Sequence, residues 1–349
     1  MRTHARSESG FSLAEMLIAT GLLLVVSSIV TSVLLQMTKH QQTVSNRTEM
    51  HSGVRGATEL LQQEVGQAGR VTLPAAVALT EAVNPVGGAA PAASSSCDPT
   101  SPTTNAVTVH VTSADGMFAS AGPPAAYEIL TVLDGDTSES VIVVAVVVGV
   151  GVGNSTIRAC FSQPHANAAT VAAMGGFATG IVPPTMANGS TANKLKLYGD
   201  INGAGKMSYV EYYCDNGDPG TVGSFNLYRN VMDFDIAPAA KPALTDSMIL
   251  LSNVHPNPVD AGGAPRPCFQ YQTASVNVAG TAYSFVLDVA VTLTVWTQQA
   301  DPVTHQFQTE TKALLNISPR NVFSAWELAS LAYTNRIQPT PATVVALLP

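Results

Sequence analysis

The sequence predicts an α+β fold, with one long amino-terminal helix laid on a mainly antiparallel β-sheet head. Three observations carry that expectation. An almost wholly apolar run over residues 11–37 contains a single charge, Glu15. Behind it, Met50, Val54, Ala57, Leu61, Val65 and Ala68 recur at intervals of three and four, which lays a stripe along one helical face. Beyond residue 105, short runs rich in valine, tyrosine and threonine follow one another between turn residues. A helix followed by a succession of strands is the order expected when one helix covers one face of a sheet.

Taken in order, the first element is a helix over residues 12–68, about 85 Å long at 1.5 Å per residue. Gly69 fits its stop. Residues 11–37 form the apolar half and 38–69 the amphipathic half; Gly53, Gly56 and Gly66 weaken the second half and predict local melting there. Residues 70–105 read as a mobile loop, because alanine, serine and glycine dominate and Pro74, Pro85, Pro91, Pro99 and Pro102 interrupt any period. The head covers 106–335, with strands expected at 106–113, 127–133, 140–150, 194–199, 207–214, 224–231 and 284–298. The valine-rich run at 140–150 is too short and too β-branched for a second span, and reads as a buried strand. Ser324-Ala325-Trp326-Glu327 has capping-box spacing and predicts a helix over 325–335, with a frayed tail over 336–349.

Composition excludes several classes. Of 349 residues only 11% are charged and the net charge is -8, so no surface is built to neutralise many phosphates and nucleic acid is not an expected partner. Cys97, Cys160, Cys214 and Cys268 lie far apart, without the C-x-x-C pair of a zinc or redox site. In an oxidising compartment they are candidate disulfides; of three pairings, Cys97 with Cys160 and Cys214 with Cys268 close the shorter loops, and four reduced thiols are the alternative.

A helix of about 25 residues within the run 11–37, roughly 37 Å long, can cross a bilayer core once, with some tilt. Arg2 and Arg6 precede the run, which favours a cytoplasmic amino terminus and an extracytoplasmic head. No small-residue cleavage pattern follows the apolar core; the small residue stands before it, as Gly10. A buried carboxylate is costly in lipid, so Glu15 demands a partner.

Gly10-Phe11-Ser12-Leu13-Ala14-Glu15 resembles the processing site of type IV prepilins and type II secretion pseudopilins. The resemblance implies that residues 1–10 are a leader, that prepilin peptidase cuts between Gly10 and Phe11, and that Phe11 becomes N-methylated. It also implies a pilin-like fold, and that Glu15 meets the new terminal amine of a neighbouring subunit during assembly. An ammonium partner makes a buried carboxylate tolerable. The segments TELLQQEVGQAG (58–69), YGDINGAGKMSYVEYY (198–213), LYRNV (227–231) and TETKALLNISPRNV (309–322) are similar to minor pilins of the PilW type and the related J-type pseudopilins. An ordinary signal anchor is the competing account of the span. The partners so implied are other pilin or pseudopilin subunits, prepilin peptidase, the inner-membrane assembly platform and the bilayer itself.

One stretch invites a ligand. Against a calcium loop, Asp200 takes the first position, Asn202 the third, Gly205 the sixth, Ser208 the ninth and Glu211 the twelfth. Ala204 occupies a position that needs an oxygen, and Lys206 adds a positive charge, so a β-turn built from Asp, Asn and Gly is the alternative. No other cofactor is expected. No G-x-S-x-G, H-E-x-x-H or phosphate-loop pattern occurs and the seven histidines are scattered, so an enzyme is not expected. Tyr209, Tyr212, Tyr213, Phe225, Tyr228 and Arg229 form an aromatic group that strand alternation places partly in the core. The functional expectation is a minor pilin or pseudopilin of low copy, in a priming or tip complex of a pilus or secretion pseudopilus. It starts as a single-pass inner-membrane protein. The rival expectation is a membrane-tethered adhesin or ligand-binding protein with a pilin-like anchor.

Overall fold

The computed structural model describes residues 12–121, 126–215, 225–278 and 280–349. One helix, α1, runs over Leu13–Gln67, 55 residues without a break. Prolines are absent before Pro74, so no backbone donor is missing from its ladder. Gly69, at φ +79°, ends it, and its N–H is taken by the carbonyl of Tyr198 at 2.9 Å. A Cβ at Gly69 would lie 2.8 Å from Val322 Cγ2, so the stop is steric as well as conformational. Local melting is not seen: α1 is continuous through Gly53, Gly56 and Gly66. At Gly53 the missing side chain admits Leu251, whose Cδ1 would stand 3.3 Å from a Cβ.

The chain forms two compact units, one of the described residues up to Ser52 with Trp296–Glu310, the other of Gly53–Val295 with Thr311–Pro349. Both include part of α1. Five of the six stripe residues, Val54, Ala57, Leu61, Val65 and Ala68, lie in the second unit and are buried to 2% exposure or less; Met50, in the first, is itself buried. A six-stranded antiparallel sheet runs in the order Val77–Ala78, Thr170–Ala173, Ile129–Asp134, Thr137–Val147, Ser155–Ala159, Val107–Val111. A second, four-stranded sheet orders Lys194–Gly199, Ser208–Cys214, Asn226–Asp233 and Ile249–Ser252, again antiparallel. In a third, Thr281–Trp296 pairs with Val254–His255, Phe269–Val278 and Thr309–Ile317. A short pair, Ile337–Gln338 with Gly176–Phe177, is parallel.

Three expectations need correction. Residues 70–105 are not a loose loop: Val77 pairs with Val171, Leu79 and Val83 bridge to Val111 and His165, and Val77, Leu79, Val83 and Ala93 are buried in the core of the first sheet. Prolines there mark turns between short extended pieces, and the apolar anchors are too sparse to show as a period. The carboxy-terminal helix, α2, spans Arg320–Ser330 with Pro319 as its N-cap, so Ser324 lies inside it and forms no capping box. The tail does not fray. A further helix, α3 (Ala342–Leu347), follows, and Val344, Leu347 and Leu348 are buried beside Phe177, Tyr198 and Tyr209.

The valine-rich run is a buried strand only as far as Val147. Val148, Val150 and Val152, in the turn beyond, are exposed. Several strands lie outside the runs expected from the sequence, among them Ser155–Ala159, Thr170–Ala173, Ile249–Ser252, Phe269–Val278 and Thr309–Ile317. Thr170–Ala173 is too short for a period to show, and Ser155–Ala159 buries the small residues Ser155 and Ala159 on either side of Ile157, so its alternation is weak in the sequence.

Candidate functional site

The apolar half of α1 is the first candidate. It is the one helix among the described residues long and apolar enough to cross a membrane, and none of its most apolar window is buried within the chain. Leu13, Met16, Leu17, Leu22, Leu24 and Met37 are each at least 62% exposed. Three of its hydroxyls bond back to the helix, Thr20 donating to the Met16 carbonyl at 2.9 Å, Ser28 to Val25 at 2.7 Å and Ser32 to Ile29 at 3.1 Å, and Thr38 just beyond it donates to Leu34 at 2.9 Å. Hydroxyls that bond back to the helix in this way are compatible with hydrocarbon.

At its start the structure gives Glu15 a partner that the sequence reading overlooked. The Ser12 N–H donates to Glu15 Oε2 at 3.0 Å, and the Glu15 N–H donates to Ser12 Oγ at 3.2 Å. This is a capping box, two orphan donors of the first turn satisfied reciprocally. The signal was the Ser-x-x-Glu spacing of residues 12–15, hidden behind the processing motif. Gly10 and Phe11 lie outside the described residues.

In the amphipathic half a second carboxylate, Glu64, is 1% exposed. Three residues after Leu61, it interrupts the apolar stripe, and that interruption was the available signal. Arg229, on the strand Asn226–Asp233, grips it: Nε donates to Oε1 at 3.1 Å and to Oε2 at 3.2 Å, and Nη2 also donates to Oε1. Tyr212 from the neighbouring strand donates its hydroxyl to Oε2. Burial first, and then the Glu64 charge, push the Tyr212 phenol far above its ordinary pKa, which keeps it a donor. The triad pins the helix to the sheet through charge-assisted bonds.

The aromatic group divides as alternation requires. Tyr209 and Tyr212 are fully buried, whereas Tyr213 and Tyr228 are partly exposed and stack with centroids 6.2 Å apart. Phe225 meets His255 edge-on at 5.7 Å.

The calcium residues are not gathered around one point. Asp200 follows the strand Lys194–Gly199; its Oδ2 accepts the Gly205 N–H at 3.3 Å and faces Arg70 Nε at 3.7 Å. Ser208 pairs with Gly199, but Glu211 stands opposite Lys196, three residues or about 10 Å further along the ladder. There Glu211 Oε1 meets Lys241 Nζ at 2.8 Å and Lys196 Nζ at 3.5 Å, and accepts the Tyr209 hydroxyl at 2.7 Å. Its charge is spent on two lysines. Among the described residues no group of three or more His, Cys, Asp or Glu side chains is placed to hold a metal ion. The segment is a hairpin turn, with Gly203 and Gly205 at positive φ, and the calcium reading is withdrawn.

The same two lysines hold the carboxy-terminal residues. Lys241 Nζ donates to the carbonyls of Leu347 at 2.7 Å and Pro349 at 3.0 Å, and Lys196 Nζ to that of Leu348. The cysteines pair as Cys97–Cys160 and Cys214–Cys268, with Cα atoms 5.7 and 6.4 Å apart. Beside the first disulfide a cleft of about 400 Å3 is lined by Asp98, Ser138, Glu139, Ser162 and Gln163 among others. Glu139 is internally committed there: it accepts the backbone N–H groups of Ser162 and Gln163, the Ser162 hydroxyl, and a 2.9 Å contact from His165 Nε2. Ser162 bonds the carboxylate and not the imidazole, so serine and histidine are both held by Glu139 and not by each other. No protein family, curated protein or solved structure matches this chain.

Proposed function

We propose that the chain is a minor pilin or pseudopilin, cut by prepilin peptidase after Gly10, N-methylated on Phe11, and assembled through α1 into a type IV pilus or type II secretion pseudopilus. Its role is structural, not catalytic. The observation that carries the reading is one continuous helix whose first half is apolar and bare while its second half is buried against a β head. A helix of that kind is stored in lipid and becomes stable elsewhere only when neighbouring helices cover it. Glu15 supplies the register: as the one charge in the apolar half, it favours the arrangement that gives it a cation. The size of the head and its two disulfides favour a low-copy priming or tip position in the extracytoplasmic space.

Mass spectrometry of the protein from its native membrane tests the processing step. The expected mature chain begins at Phe11 with one added methyl group on its amine. A chain that retains Met1, together with its absence from sheared filaments, would remove the reading and leave a tethered binding protein.

A further inference from the structure

Within the second unit, a cleft of about 590 Å3 lies where the cores of the first and second sheets meet. Met117 in its wall belongs to the core of the first sheet, whereas Phe118, Met207 and Phe234 belong to the core beside the second. Val146 and Val148 carry the apolar lining out to the rim, where Val148 is 60% exposed. A cleft of this size between packed layers, walled by sulfur and aromatic side chains, suits a small organic molecule.

The rim is fixed by its own backbone. The Asp115 N–H donates to Ser113 Oγ at 3.1 Å, and the Met117 N–H donates to the Ala114 carbonyl at 3.2 Å. Between them Gly116 has φ +76°, and a Cβ there would stand 2.7 Å from Pro74 Cδ, so the turn sits closely on that proline. The rim is also acidic. Asp115 and Asp235 line the cleft and are exposed, and among the described residues neither carboxylate accepts a hydrogen bond or stands within ion-pair distance of a cation. Lys206, the cation in the lining, is already taken by Asp233, Nζ to Oδ2 at 2.8 Å, and Asp235 adds only its longer-range field there. Three carboxylates thus accompany one ammonium, an excess of two negative charges at the mouth of an apolar cleft.

We infer that this cleft binds a small organic cation, an ammonium group carried on an apolar body. The body fills the space between Met117, Phe118, Met207 and Phe234, and the ammonium stands at the rim beside Asp115 and Asp235. An anionic ligand would meet two uncompensated carboxylates, and a neutral one gains the apolar contacts but no charge pairing. The aromatic rings in the wall are a further attraction for a cation. The site stands apart from the assembly reading, since its lining among the described residues includes no residue of α1.

The test uses the full chain in lipid nanodiscs, labelled with carbon-13 in the methionine methyl groups, with the Met117 and Met207 signals assigned through M117L and M207L. Three soluble probes share a phenyl body and differ in the head: phenethylammonium, phenethyl alcohol and hydrocinnamate. The expected result is a saturable shift of both methyl signals, with the ammonium binding about fivefold tighter than the alcohol, the factor that one exposed charge pair supplies, and the carboxylate weakest. The double change D115N and D235N, at two exposed positions, should bring the ammonium down to the affinity of the alcohol and leave the alcohol as it was. If no probe moves either methyl signal, the site is overturned. Binding of the alcohol or the carboxylate as tightly as the ammonium overturns the choice of a cation, and so does a preference for the ammonium that survives the double change. None of these results bears on leader removal or filament content.

Discussion

Replacing Arg229 by methionine should destabilise the head far more than loss of a surface charge would. Glu64, 2% exposed in its side chain, would keep its charge and retain only the Tyr212 hydroxyl. Breaking a buried ion pair from one side costs about 3–5 kcal/mol, because the remaining charge is neither solvated nor paired. The reverse change, Glu64→Met, should cost less. Arg229 is 25% exposed and can turn toward water, which leaves chiefly the Tyr212 hydroxyl unpaired, at about 1–3 kcal/mol. Changing both residues to methionine removes both charges together with their desolvation, so the double variant should be more stable than Arg229→Met alone. The coupling expected from the cycle is about 2–3 kcal/mol. Urea unfolding of the full chain in detergent, followed by near-ultraviolet circular dichroism of the buried tyrosines, measures all four species. If Arg229→Met loses less than about 1 kcal/mol, or the two changes simply add, the pair behaves like an exposed one and the clasp argument fails.

Other consequences are more local. Glu128 is fully buried, its Oε2 accepts the Phe118 N–H at 3.0 Å, its Oε1 has no partner among the described residues, and burial raises its pKa from 4.5 to about 8. The folded state therefore holds a proton that the unfolded chain releases above pH 4.5, so stability should fall as pH rises from 4.5 to about 8, by about 3 kcal/mol at pH 7; Glu128→Gln should flatten that slope in unfolding curves taken between pH 5 and 8. Replacing either cysteine pair by alanine should lower stability by up to about 4 kcal/mol, since each bridge closes a loop of 54 to 63 residues, and equal midpoints with and without a reductant would contradict this. Gly10→Ala should slow leader removal, with unprocessed chain accumulating in membranes as read by mass spectrometry.

How far the fold was legible depended on whether burial left a period in the sequence. α1 was readable to within a residue at each end, since Leu61 and its fellow stripe residues repeat every three or four positions and Gly69 closes the run. The strands Lys194–Gly199 and Ser208–Cys214 were equally plain. Residues 70–105 were not, because four isolated apolar anchors among prolines carry the core contact, and Val77, Leu79 and Val83 are bridged to the distant residues Val171, Val111 and His165. At the sites, the motif spacing of Asp200 and Glu211 was real but their environment was not visible: which cation stands opposite each acid is settled by strand register, and Lys196 faces Glu211 only because Gly199 faces Ser208. Glu64 shows the complementary case, a carboxylate whose position in the stripe was in plain view while its arginine lay 165 residues away.

The box at Ser12 and Glu15 changes what a test of the assembly model must separate. In the lone subunit the carboxylate already accepts one backbone N–H and sits at the positive end of the helix, so it has a partner before any neighbour arrives. One N–H uses one of roughly four acceptor positions on a carboxylate, which leaves room for an ammonium with three donors. The two roles therefore compete only partly, and they predict different mutants. Ser12→Ala deletes the hydroxyl that receives the Glu15 N–H but keeps the carboxylate, so the first turn should loosen while filament content stays near normal. Glu15→Ala deletes the acid; the chain should still enter the membrane, since its apolar run is undisturbed, yet filament content measured after shearing should collapse. Glu15→Gln decides between hydrogen bonding and charge, because glutamine can accept from Ser12 but carries no charge to pair with an ammonium. Filaments at normal yield from the glutamine variant would mean that capping alone accounts for the glutamate, and the intersubunit ion pair would have to be abandoned.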